Sequence, residues 1–334
     1  MSSTKTSRTG SIIAFVLSGL TVIAAGLLVL NRQYVSDQLN VWSYAPSSQV
    51  ASIDERVGFT DTGTFTLYAT KPEVLGKESF NSLCPRQEPA SPILGCYTGD
   101  DRVYIYDVTN TQLDGMKEVT VAHEMLHAAW HRLSNEQKDS LAKELISVYE
   151  AKATDELKER MAYYDRTQPG EFANELHSIL ATEVTELTPK LEAHFATYFE
   201  DRQTVVALHT KYSSVYAGLQ AQIDGLYTQL EALAASINQQ TAAYDRALKE
   251  YESAAASYES RANSGDFTSF AQIDAEYYAL MRTYDTLETQ RAAINKDIEN
   301  HGILYEQYQQ VATQIEILNK SIDSIETIEG APAV

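Results

Sequence analysis

The C-terminal half of the chain has no proline between Lys190 and Gly330, and this absence constrains the fold more than any other feature. Apolar and tyrosine side chains recur there at steps of three and four residues, which is the spacing of a coiled-coil seam. A turn signal, Asn263-Ser264-Gly265-Asp266, interrupts the pattern. We therefore predict an antiparallel helical hairpin over 191–328, with arms of some 55–60 residues that are about 80–90 Å long.

The predicted seam of this hairpin is imperfect. Gln240 and Arg291 fall on it, and many of its positions are tyrosine, which packs loosely and needs partners for its hydroxyl group. The seam is either the interior of an amphipathic hairpin or a surface that binds a coiled-coil partner or a second copy of the chain. The spacing favours the interior.

Residues 11–30 form a run of twenty residues without a charge, which is long enough to cross a hydrocarbon core of about 30 Å. Lys5 and Arg8 precede the run, so the positive-inside rule predicts a cytoplasmic tail over 1–10 and an extracytoplasmic location for the bulk of the chain. A cleaved signal peptide is the alternative, but its apolar region is normally shorter and no small-x-small site follows Leu30. The sequence therefore predicts a single-pass protein of the cell membrane, held by an uncleaved transmembrane signal anchor.

The chain has two cysteines, Cys84 and Cys96, and they flank a proline-rich stretch with no regular period. Such a stretch is typical of a loop. In an oxidising compartment outside the cytoplasm the two thiols can pair and close this loop. We predict a Cys84–Cys96 disulfide, with two free thiols as the alternative.

The formal net charge is −20, from 46 acidic and 26 basic residues. This balance argues against binding nucleic acid, or an anionic lipid surface, through charge. We expect no nucleic-acid partner. The acidity favours solubility and does not identify a substrate.

The motif with the most chemical content is His123-Glu124-x-x-His127, within residues 119–133. Positions i and i+4 of a helix share one face, so both imidazoles can bind one metal ion, with Glu124 placed to take a proton from a bound water. The alternative is a surface helix with two polar histidines. Apolar residues recur beside the motif at helical spacing, which favours the metal site: Val119, Ala122, Leu126, Ala129 and Leu133.

These residues resemble the HExxH zinc metallopeptidases, the zincins. The resemblance implies that His123 and His127 are zinc ligands, that Glu124 is the general base, and that each chain binds one Zn²⁺. It also implies a peptide or protein substrate, which a zinc-bound water hydrolyses. The resemblance covers about a third of the chain and does not identify one family within the superfamily.

Catalytic zinc needs a third protein ligand beside an open water position. His131 lies about 12 Å along a helix axis from His123, too far for both to bind one ion. Asn174-Glu175-x-x-Ser178 resembles the gluzincin pattern, in which a glutamate on a second helix completes the site. The resemblance therefore implies Glu175 as the third ligand, and Glu171 and Glu183 remain alternatives.

The sequence does not identify two further components of such a site. Ile179 stands where the gluzincins often carry an aspartate that steadies a zinc-bound histidine, so the group that orients the ligands is not identified. An oxyanion would also need a hydrogen-bond donor. His177, Tyr163 and Tyr164 have suitable chemistry, and none of them is assigned.

Residues 103–108 alternate and are rich in β-branched and aromatic side chains, which predicts a strand, and residues 64–69 predict a second one. The resemblance implies that 103–108 is an edge strand above the zinc, with an ordinary core strand as the alternative. Together the patterns predict an α+β fold. Its parts are the transmembrane helix over 11–30, a small zincin-like domain over 45–190 and the long C-terminal helical hairpin.

Two functions are consistent with these features. The first is a membrane-anchored, extracytoplasmic zinc metallopeptidase. The second is a non-catalytic scaffold or binding protein of the cell envelope that works through its coiled coil. Glu124 favours the first, because a purely structural zinc site does not need a general base.

Overall fold

The computed structural model of the chain describes residues 8–85 and 93–324. These residues form two compact units. The first comprises the described parts of 1–215 and 319–334, and the second comprises Tyr216–Leu318. The predicted metal-binding residues all belong to the first unit.

The first part of the chain contains ten helices of at most 23 residues and three short strands in the described residues, and the last part contains two much longer helices. The first part contains α1 Arg8–Leu30, α2 Arg32–Ser43, α3 Ser48–Val57, α4 Asp61–Ala69, β1 Glu73–Leu75, α5 Lys77–Leu83, β2 Gly95–Tyr97 and β3 Val103–Tyr106. A 3₁₀ turn at Thr111–Leu113 then leads to α6 Met116–Arg132, α7 Asn135–Lys152, α8 Asp155–Thr167, α9 Phe172–Glu183 and α10 Pro189–Phe195. Two long helices follow, α11 Arg202–Ser264 and α12 Phe270–Ile322.

The predicted α+β fold class is wrong, because the described chain is mostly helical and its three strands are only three or four residues long. They form one sheet in the order β1-β3-β2, in which β1 pairs parallel with β3 and β2 pairs antiparallel with it. Such short strands cannot form a layer of their own. Instead, β2 and β3 lie against helix α6, and β1 lies against α3.

Residues 64–69, predicted as a strand, belong to helix α4. The Thr60 side chain accepts a hydrogen bond from the backbone N–H of Gly63, which caps the helix at its start. The helix then packs against α2 and α6, and it buries Thr66 and Leu67. The cap and this packing outweigh the strand preference of the β-branched and aromatic residues in the segment.

The core of the first unit is built around helix α6, which packs against α9. The apolar stripe predicted beside the motif is buried on α6, including Val119, Ala122 and Leu126. Leu176 and Ile179 are fully buried on α9 and belong to the same core. This packing brings the helix of the HExxH motif and the helix of Glu175 together.

The transmembrane helix predicted over 11–30 is also contradicted. No single helix in the described residues is long and apolar enough to cross a bilayer. Two consecutive segments, Phe15–Leu30 and Arg32–Ser43, pass that test only together, and they are bent by 78° where α1 ends and α2 begins. The predicted topology, with the N-terminus in the cytoplasm, is not tested by this finding and stays a prediction.

The structure contains a disulfide between Cys84 and Cys96. Cys84 directly follows α5 and is buried, and Cys96 is the middle residue of β2. The bond therefore ties α5 to the edge of the small sheet.

Replacing both cysteines by serine should lower the free energy of unfolding by about 3 kcal/mol, because the bond restricts the unfolded chain. Urea unfolding of the wild type and the double variant measures this difference. The reduced wild type is the matched control and should lose the same amount. Equal midpoints for the oxidised wild type and the double variant would contradict the prediction.

In the second unit α11 and α12 run antiparallel to each other. The Gln240 side-chain amide donates a hydrogen bond to Asp297 Oδ2 at 2.7 Å, so this polar residue on the predicted seam has a partner on the other arm. Nearer the turn, the rings of Tyr251 and Tyr284 lie 6.1 Å apart. The interior between the arms buries aliphatic residues that include Leu230, Leu287 and Ile294.

Candidate metal centre

Helices α6 and α9 bring three potential metal ligands together. His123 and His127 lie one turn apart on α6, and Glu175 lies on α9. His123 Nε2 is 3.6 Å from Glu175 Oε2, and His127 Nε2 is 3.7 Å from Glu175 Oε1. One donor atom from each residue lies within 4.8 Å of the other two, and no other group of histidine, cysteine and acidic residues in the described chain meets this criterion.

The spacing of these donors fits a zinc ion. Ligands that bind tetrahedrally at about 2.0–2.2 Å are themselves separated by about 3.3–3.6 Å, close to the two distances observed. In addition, the buried Oε2 atom of Glu175 has no hydrogen-bond partner among the residues that the structure describes. A buried carboxylate oxygen without a partner is costly, and a cation bound between the imidazoles and this carboxylate would satisfy it.

The two alternative third ligands have other partners. Both oxygens of Glu183 accept hydrogen bonds from Arg160 on α8, at 2.8 and 2.5 Å. Glu171 accepts a hydrogen bond from the Asn174 side chain at 2.9 Å. Neither glutamate belongs to the three-residue cluster, and His131 does not belong to it either. The geometry therefore favours Glu175.

Asn174 orients the imidazole ring of His127. Its Oδ1 lies 3.0 Å from His127 Nδ1, and its Nδ2 donates to the Glu171 carboxylate. The carboxylate fixes the orientation of the amide, so the amide oxygen faces the imidazole and the proton of His127 sits on Nδ1. This leaves Nε2, the atom nearest Glu175, as the metal-binding nitrogen. The sequence pattern contains Asn174 but gives no role to it.

The charges around Glu175 keep it ionised. Burial acts to raise the pKa of this carboxyl, but His127, His123 and Arg160 together lower it below its ordinary value. An ionised carboxylate is the form that binds a metal ion. The direction of this shift is consistent with Glu175 as a ligand.

Glu124 lies beside the cluster and is buried. Burial raises the pKa of its carboxyl, against the lowering influence of the neighbouring His127 and His123. A carboxylate whose pKa moves towards neutrality is better suited to accept a proton from water. This position and this shift fit the role of general base.

The strand above the motif is β2, and not the predicted segment 103–108. That segment contains β3, which has a partner on both sides and lies in the middle of the sheet. In the described residues β2 pairs only with β3, and its three residues line a cleft of about 1050 Å³ that His123, Glu124 and His127 also line. Sequence reasoning missed β2 because three residues after a proline-rich stretch of sequence are too few to show alternation.

Gly95 of β2 lies against the side chain of Glu124. A methyl group on Gly95 would come within 2.7 Å of Glu124 Oε1 and within 2.7 Å of Thr120 Cγ2. No side chain fits between this strand and α6 unless Glu124 moves. The glycine is therefore part of what positions the carboxylate.

Replacing Gly95 by alanine should displace Glu124. We expect this to lower kcat/KM for peptide hydrolysis, the activity expected from the sequence, by about a hundredfold, while the zinc content stays unchanged. Gly99→Ala is the matched control, since nothing lies within 4 Å of a methyl group at that position. Steady-state kinetics and metal analysis of both variants test the prediction. Equal activity of Gly95→Ala and the wild type would show that the strand does not position the base.

Of the three candidate oxyanion donors, Tyr163 and Tyr164 line the cleft. His177 is fully buried and shares a hydrogen bond of 2.8 Å with His194, so its ring is engaged away from the cleft. Burial, together with the charge of Glu175 and Glu124, raises the pKa of Tyr164. The rings of the two tyrosines pack edge-on against each other, and both hydroxyl groups remain candidates.

The candidate metal centre rests on these residues alone. No protein-family model, no curated protein and no solved structure matches this chain. The assignment of an activity therefore depends on the chemistry of the cluster and of the cleft beside it.

Proposed function

We propose that this chain is a zinc-dependent peptide hydrolase. The observation that carries the proposal is the convergence of His123, His127 and Glu175 beside the buried Glu124, at the wall of an open cleft. Structural zinc sites are usually closed by four protein ligands, whereas a catalytic site has three and leaves one position to water. Three donors facing a cleft therefore support catalysis.

The residues around the cluster have the chemistry that hydrolysis requires. When bound, zinc lowers the pKa of a coordinated water and polarises a carbonyl group. Glu124 accepts one proton from the attacking water as its oxygen bonds to the carbonyl carbon. Glu124 then returns the proton to the amide nitrogen as the C–N bond breaks, so one water yields a carboxyl group and an amine. Tyr163 and Tyr164 line the cleft, and the hydroxyl of either would supply the hydrogen bond to the oxyanion.

A peptide is the substrate that the cleft fits best. The edge of β2 that does not pair with β3 has one N–H engaged, that of Tyr97, which donates to Glu124. Its other backbone groups are available to an extended chain, which could add to the sheet as a further strand. Gly95 leaves that edge without a side chain next to Glu124. The disulfide between Cys84 and Cys96 suits an oxidising compartment and supports a location outside the cytoplasm.

A peptide library incubated with the full chain tests this proposal. We expect cleavage that stops when a chelator removes zinc and returns when zinc is restored. Cleavage that continues in the zinc-free chain would contradict the proposal. If the chain binds zinc but no peptide is cleaved, the alternative function as a scaffold gains support, with the tyrosines exposed on α12, such as Tyr278, as the place to look for a partner.

A further inference from the structure

Three polar side chains of helix α2, those of Gln33, Asp37 and Asn40, face the protein. Asp37 is only 3% exposed, and the guanidinium of Arg132 donates to its two oxygens at 2.7 and 2.9 Å. Gln33 donates to the same carboxylate, and the Asn40 side chain donates to the backbone oxygen of Ala69. These bonds fix which side of α2 faces inward.

The opposite side of α2 is apolar. Val35, Leu39 and Trp42 follow one another at steps of four and three residues, and at 100° per residue they centre on the side away from Asp37. Leu39 is 56% exposed and Trp42 is 75% exposed. A helix on a water-exposed surface has the reverse arrangement, with its apolar stripe on the core. The outward side of α2 therefore requires an apolar or amphipathic partner.

Helix α1, which precedes α2, also exposes apolar side chains. The large side chains described on α1 between Phe15 and Leu30 are apolar and exposed, and no charged residue lies between Arg8 and Arg32. α1 ends at Leu30 and α2 begins at Arg32, with a bend of 78° between the two segments. Two exposed apolar surfaces thus adjoin in the chain and meet at a sharp angle.

We infer that the outward side of α2 lies in the surface of a lipid bilayer, beside the apolar side chains of α1. Trp42 would sit at the level of the headgroups, where tryptophan is enriched, and Arg32 would be available to lipid phosphates. The only acid on α2 is Asp37, which is buried against Arg132, so α2 adds no exposed negative charge. A second copy of a chain with a net charge of −20 is a less suitable partner, because the copies repel each other.

The ion pair between Asp37 and Arg132 also holds α2 in a fixed position relative to α6, the helix of His123 and His127. Arg132 is the last residue of α6, and it pairs with both Asp37 and Asp101. Asp101 in turn accepts a hydrogen bond from the hydroxyl of Tyr97 on β2. A bilayer that binds α2 would therefore hold the first unit by a rigid contact and not by a flexible tether.

Tryptophan fluorescence of the full chain in phosphatidylcholine vesicles tests the inference. The chain has two tryptophans, and Trp130 is only 9% exposed, so Trp42→Phe supplies the background emission. We expect lipids with bromine near the headgroup to reduce the Trp42 emission roughly twofold, and lipids with bromine near the chain end to reduce it less. Acrylamide in the aqueous phase should quench Trp42 only weakly.

Leu39→Glu with Trp42 retained should weaken the quenching by brominated lipid, because it places a charge on the outward side. Ile146→Glu is the matched control on the exposed side of α7 and should have no effect. Full quenching of Trp42 by acrylamide, with none by brominated lipid, would overturn the inference. So would protection from both quenchers in a chain that sediments as a dimer, since a second copy would then cover the stripe.

Discussion

Replacing Glu124 by glutamine should lower kcat for peptide hydrolysis by about a thousandfold, while the chain keeps one zinc. The amide has the size of the carboxylate but cannot accept the proton of water. Glu124 is the acid in the HExxH motif and is not part of the cluster of His123, His127 and Glu175, so metal binding should survive. Steady-state kinetics and metal analysis of the same preparation measure both quantities.

The control for this variant is Glu136→Gln, which makes the same chemical change at an exposed position on α7. It should hydrolyse peptides at the rate of the wild type. If Glu124→Gln cleaves as fast as the control, Glu124 is not the general base. If it loses its zinc together with its activity, its effect is on the metal site, and the assigned role is also wrong.

Replacing Glu175 by glutamine should weaken zinc binding by more than about a hundredfold, because loss of an outer partner of a ligand already costs 10–100-fold. The substitution preserves the shape of a side chain that is buried between α6 and α9. Hydrolysis should fall with the zinc content. A competition titration against a chelator of known affinity measures the change, and circular dichroism checks the fold.

Glu183→Gln is the matched control on the same helix. It should keep the zinc affinity within a few fold of the wild type, because Glu183 has Arg160 as its partner and not the metal cluster. It should lower the stability of the chain, since Arg160 would lose its bidentate carboxylate partner. Loss of zinc in Glu183→Gln, with normal binding in Glu175→Gln, would reverse the assignment of the third ligand.

The proximity of His123 and His127 could be predicted because the information for it is local. His123 and His127 are one turn apart on a helix, and the buried stripe of Val119, Ala122 and Leu126 determines which way that helix faces. Glu175 came from a second short pattern, and the packing of α9 on α6 brings it to the two histidines. That contact joins residues about 50 positions apart, and the resemblance, not local spacing, suggested it.

The segments whose structure was wrongly predicted or missed depend on contacts between distant residues or on a single helix cap. Residues 64–69 have the composition of a strand, but the cap at Thr60 and the packing on α6 make them helical. The strand β2 exists only because β3 pairs with it, and the role of Gly95 follows from its approach to Glu124. The apolar run over 11–30 identifies a helix but does not show the bend that follows it at Asn31.

X-ray absorption at the zinc edge of the full chain shows directly whether His123 and His127 bind zinc. We predict one zinc per chain with nitrogen and oxygen ligands at about 2.0–2.1 Å, two of them imidazoles. The imidazole signal should fall in His123→Ala and in His127→Ala. A chain that binds no zinc after reconstitution, or one whose zinc keeps its imidazole signal in both variants, would contradict the account.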